Sequence, residues 1–138
     1  MRVRPALSAA AVCLCLTPVL WAQDPTKVDP KHYTVVSEND QVRILRVHYS
    51  AHEKSVMHSH PNSVAVFLTD GTSHFAFPDG KTADMKVKAG DAAFTPAVTH
   101  LPEDTGDKPF ELILVELKGK AGAAKAGAAK PAMKTENK

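Results

Sequence analysis

Beyond residue 22 the sequence has no cysteine and no tryptophan; Cys13, Cys15 and Trp21 all precede it. That excludes disulfide stapling and thiol chemistry from the rest of the chain. A bilayer-spanning run of about 20 apolar residues is also missing. The longest candidate, Ala6 to Leu20, is interrupted by Ser8, Thr17 and Pro18. Preceded by Arg2 and Arg4 and followed by Ala22, it reads as a signal peptide over residues 1–22, with cleavage before Gln23. An uncleaved anchor lacks the length, and a lipoprotein linkage at Cys13 or Cys15 lacks the small-residue box. The expected location is secreted or periplasmic, with no membrane contact after cleavage. Excess basic charge is absent as well. The whole chain carries +2, but Arg2 and Arg4 belong to the signal and the last twenty residues carry five lysines against Glu136. Residues 23–118 are therefore net acidic, which excludes a nucleic-acid partner.

What is present divides simply. Residues 23–30, "QDPTKVDP", read as an N-terminal linker, and residues 119–138 as an Ala/Gly/Lys-rich disordered tail with AGAAK twice. Residues 31–118 form one small domain. Its runs "HYTVVS", "QVRILRVHY", "SVAVFLT", "HFAFP", "ADMKVK", "AAFTP" and "FELILVELK" are rich in Val, Ile, Phe, Tyr and Leu, and turn signals such as "PDGK" and "KAGD" separate them. That pattern predicts an all-β sandwich or barrel. The nearly continuous apolar run "FELILVEL" predicts a strand buried on both faces.

His58 and His60 stand one residue apart, so in a strand both imidazoles face the same side. His100 is the best third ligand, at a strand end or turn. Three histidines with open positions make a reactive metal site, where structural sites are usually closed. His32 and His74 read as surface residues. Val64, Val66, Phe75, Phe77, Phe94 and Ile113 are candidates for an apolar wall around the metal. Tyr33 and Tyr49 alone could stack on a sugar. No catalytic carboxylate pair is evident.

The stretch Val56–Gly71 and the later "GDAAFTPAVTHLPED" resemble the two motifs of the cupin superfamily. His58 and His60 match the paired histidines and Gly71 the closing glycine, while Val64 stands at the usual glutamate. Gly90 and Pro96 match the second motif; Val98 replaces a glycine, His100 arrives one residue early, and Asp104 lies near the usual asparagine. The resemblance implies a cupin-type double-sheet jelly-roll barrel, a metal in its mouth and often a homodimer. Glu53, Glu103, Asp104 and His48 are candidates for an extra ligand. Without the glutamate, three neutral nitrogens favour copper, with iron, zinc or nickel also suited.

These observations give three functional expectations. The first is an exported mononuclear copper-dependent oxidoreductase that activates dioxygen or peroxide against an extracellular substrate, such as the polysaccharide cellulose. The second is a non-catalytic periplasmic cupin binding a metal or small ligand. The third is a Zn- or Fe-dependent isomerase or dioxygenase on a small molecule.

Overall fold

The computed structural model describes residues 23–119. The expected signal and nearly all of the expected tail lie outside them. A helical turn, α1 (Pro25–Val28), precedes nine strands: β1 (Tyr33–Glu38), β2 (Val42–Tyr49), β3 (His58–His60), β4 (Ser63–Phe67), β5 (Gly71–Ala76), β6 (Thr82–Val87), β7 (Ala92–Thr95), β8 (Val98–Asp104) and β9 (Phe110–Leu117). They form two sheets, ordered β1-β2-β9-β4-β7 and β3-β8-β5-β6. Every pairing is antiparallel. This is the all-β architecture predicted from the short β runs, in the double-sheet jelly-roll form that the resemblance implies.

Alternation along the strands places the core between the sheets. Leu45, Val47 and Tyr49 of β2 meet Phe110, Leu112 and Leu114 of β9, with Ala65 and Phe67 of β4 and Tyr33 of β1. Two glycines are required by their surroundings. A Cβ at Gly71 would lie 2.1 Å from the Phe110 ring. Gly90 turns the chain at φ +90°, a conformation that costs a side chain dearly, and its N–H donates to the Phe67 carbonyl at 2.8 Å.

Four expectations change here. Residues 23–30 are built into the domain: Asp24 caps α1, Pro25 is buried, and α1 packs on β1 and β3. The strand β9 is fully buried on one face only, through Phe110, Leu112, Leu114 and Glu116; Ile113 and Val115 on the other face are half-buried. The register pairs Val64 with Val115, Val66 with Ile113, and Val64 with Phe94. Paired residues share a face, so these four expected wall residues form an apolar stripe outside the barrel, where Phe94 is 60% exposed. Finally, His100 lies within a strand rather than at a turn.

Candidate metal centre

The short strand β3 pairs with β8 so that His58 stands opposite His100 and His60 opposite Val98. Direct cross-strand partners point to one face, and so do residues two apart on a strand. The ladder therefore brings all three rings to the inner face. The early position of His100 does no harm, because pairing decides its side. Each ring offers a nitrogen, and the three nitrogens lie within 4.8 Å of one another. The rings meet edge to face, with centroids 4.8–5.4 Å apart and interplanar angles of 82–90°. Phe75 stacks on His100 at 5.2 Å, so one expected wall residue does flank the site.

Hydrogen bonding fixes the tautomers of two rings. His58 Nδ1–H donates to the Val56 carbonyl at 2.7 Å, and His60 Nδ1–H donates to Glu116 Oε1 at 2.7 Å. Both acceptors only accept, so Nδ1 carries the proton in each neutral ring and leaves Nε2 as the ligating nitrogen. Nε2 of His58 and of His100 is buried without any partner. Orphaned buried nitrogens are costly unless something fills the space between them. Three convergent neutral imidazoles are a donor set that fits a transition-metal ion.

The electrostatics favour the neutral form of His58 and His100. Burial first, then the neighbouring His60, depresses His58 to about 4. Burial, then His60 and His58, pushes His100 well below the usual histidine range. The sign for stability follows directly. Between about pH 6.5 and 4 the unfolded chain protonates at His58 while the native metal-free chain does not, so acidification through that window lowers stability. We expect a loss on the order of 2–3 kcal/mol from His58. Urea unfolding of metal-free protein at pH 7, 5.5 and 4 measures it; midpoints that hold steady would contradict buried neutral histidines.

Around the trio lie residues the sequence reading missed. Glu116, 2% exposed, bonds His60 on one oxygen and accepts from Arg43 Nε on the other at 2.6 Å. Burial alone raises its carboxyl, but the bonds from His60 and Arg43 outweigh that and hold it below its ordinary range. Its signal was present: Phe110, Leu112, Leu114 and Glu116 share one parity, so an acid stands in an inward row. Ser55 sits beside His58, 3.4 Å from Nδ1, and its hydroxyl donates to Asp29.

The extra-ligand candidates lie elsewhere. Glu53 bonds His32, Lys31 and the Ser50 N–H. Glu103 pairs with Lys54, and His48 is exposed on β2. Asp104 is buried opposite Ser73 and accepts from the Gly106 N–H. His32, expected at the surface, is buried: Nδ1 bonds Asp29 and Nε2 bonds Glu53. Tyr33 and Tyr49 are buried too, their hydroxyls 2.7 Å apart, so neither forms a sugar platform. His74 Nδ1 keeps a partly exposed hydrogen bond with Asp84 Oδ1 at 2.7 Å.

The family model described as the cupin domain matches residues 45–116. Among solved structures, a cupin domain from Bordetella pertussis Tohama I superposes with a TM-score of 0.59 at 22% identity, covering 63% of this chain and 92% of that one. An uncharacterized conserved protein with a double-stranded β-helix domain from Klebsiella pneumoniae gives 0.52 at 25% identity, covering 65% and 78%. These likenesses speak to the fold. No curated protein matches the chain.

Proposed function

The chain belongs to the cupin family, and from that premise we propose that it is an exported mononuclear metalloprotein, its ion held by His58, His60 and His100. The observation that carries this reading is the pair of buried, partnerless Nε2 atoms at the meeting point of three rings. Copper heads the affinity order for neutral nitrogen donors; nickel, zinc and iron bind the same set less tightly. A redox-active ion there supplies the means to reduce dioxygen or peroxide. The protein's part is to hold three nitrogens, disfavour protonation of His58 and His100 and exclude bulk water. His58 is 0% and His60 6% exposed, so the centre lies deep. A small molecule reaches that depth more readily than a cellulose chain, and we therefore favour an oxidoreductase on a small extracellular substrate over polysaccharide cleavage.

The test is copper-loaded protein with a reductant and either dioxygen or peroxide, offered small phenols and cello-oligosaccharides. Product analysis with a matched His58→Ala control separates the protein's chemistry from that of free copper. We expect turnover of a small substrate by the parent alone. Equal product from both proteins, or none from the parent, moves the assignment to a binding protein for a metal or small ligand. One observation favours that second reading: the carboxylate nearest the trio, Glu116, is already engaged by His60 and Arg43 and so is not free to act as a base. Oxygenated product with iron but not copper would favour a dioxygenase, and rearranged product with zinc in the absence of oxidant and reductant would favour an isomerase.

The apolar outer stripe of Ile113, Val115, Val64, Val66 and Phe94 suits a second copy of the chain. We expect a homodimer in solution and a monomer for Phe94→Lys, read by light scattering. A parent that scatters as a monomer rejects this.

A further inference from the structure

The segment read from sequence as a linker reaches the candidate metal centre at two points. Its start is pinned by the Ser59 N–H, which donates to the Gln23 carbonyl at 2.9 Å between the two β3 histidines. Asp24 then splits its oxygens: Oδ1 accepts from the Thr26 N–H at 3.0 Å and Oδ2 from Arg43 Nη1 at 2.7 Å. Arg43 grips Glu116 with Nε, and Glu116 holds His60 Nδ1. The chain of contacts is thus Asp24, Arg43, Glu116, His60.

At its other end Asp29 accepts from the Ser55 hydroxyl, and Ser55 lies 3.4 Å from His58 Nδ1. Asp29 also bonds His32 Nδ1 at 2.7 Å. His32 stacks on Tyr49 at 4.3 Å, Tyr49 bonds Tyr33, and the Tyr33 ring stands edge-on to His58 at 4.7 Å. Both routes from Asp29 end on the same ring.

We propose that Asp24 and Asp29 are positioning residues for the metal histidines, so that metal affinity depends on residues 23–30 being docked on the barrel. The inference rests on the metal reading of the trio. Its physical basis is general. A ligating imidazole whose far N–H is held by an anchored acceptor keeps its tautomer and orientation, and loss of such support weakens a metal about 10–100-fold. Here the anchors are not in the barrel alone. Asp24 neutralises the second face of Arg43, whose other acidic partner among the described residues is Glu116. Burial raises the Asp24 carboxyl, but bonds from Arg43 and Thr26 prevail and keep it ionised.

The test uses the full chain, purified without a tag, and four variants: Asp24→Asn, Asp24→Glu, Asp29→Asn and the double Asn variant. The Asn substitutions keep an oxygen acceptor but remove the charge. Copper(II) and zinc(II) affinities are measured by competition with a chromophoric chelator. The copper EPR spectrum reports ligand geometry, and melting of the metal-free protein reports the fold. We expect about tenfold weaker metal binding for each single Asn variant, about a hundredfold for the double, altered EPR parameters, and recovery in Asp24→Glu. Affinities and spectra equal to the parent, with only the metal-free melting temperature lowered, would make the segment a structural clamp and overturn the proposal. A parent that binds neither ion would instead sink the metal reading itself.

Discussion

A hundredfold excess of copper(II) over its dissociation constant should raise the melting temperature of the parent protein by roughly 10–20 °C and leave His58→Ala unmoved. A ligand that binds only the native state stabilises it by about 2.7 kcal/mol at that excess. In a domain of this size each kcal/mol is worth about 4–8 °C. His58 is the ring to remove first. It is fully buried, it sits between His60 and His100 in the ring contacts, and its Nε2 has no other partner. Without it two nitrogens remain, and the opposite position on β8 faces a void. His60→Ala and His100→Ala should behave alike, whereas His74→Ala, whose ring pairs with Asp84 outside the barrel, should respond as the parent does. Scanning calorimetry with and without metal gives the answer. A full metal-induced shift in His58→Ala would show that the ion binds elsewhere.

The second large effect needs no metal. Glu116→Ala should destabilise the metal-free protein by about 3 kcal/mol or more, the usual cost of stripping one partner from a buried ion pair. The melting temperature should fall by roughly 12–25 °C. The substitution leaves the His60 Nδ1–H without its acceptor and Arg43 with Asp24 alone. Glu116→Gln keeps an acceptor and should cost less than half as much. A loss under 1 kcal/mol for the alanine variant would mean that Arg43 and His60 find new partners readily.

Most strands were legible because β-branched runs broken by Gly, Asp and Pro have few other readings. The pair that carries the site was harder to see. A three-residue strand such as β3 has no period to detect. The strand β8 contains Pro102, which reads as a breaker. It is tolerated because the N and C=O of a residue in an antiparallel strand point the same way. The Pro102 carbonyl accepts from Ser55 on the side where β3 has already ended, so no ladder bond is lost there. The three histidines were readable from spacing. Their surroundings were not, because apolar residues near a motif in sequence were taken to be near the metal. Parity decides otherwise: Val64 and Val66 face out, and Ser63 and Ala65 face in. Reading β9 as buried on both faces hid the inward acid at Glu116. Asp24 and Asp29 were invisible because a proline-rich segment gives no sign of which side chains it will reach.

The pairing of β3 with β8 frees the site from counting. His58 faces His100 because two strands lie side by side, whatever the length of chain between them. Insertions and deletions in the turns from Pro61 to Ala97 can accumulate without moving a ring, as the shortened spacing before His100 already illustrates. Only a shift inside β3 or β8 would matter, since one step of slippage turns a ring away from its partners. A search that fixes the number of residues between motifs will therefore pass over relatives that keep the same three rings. One that asks which residues stand opposite each other across the ladder will find them.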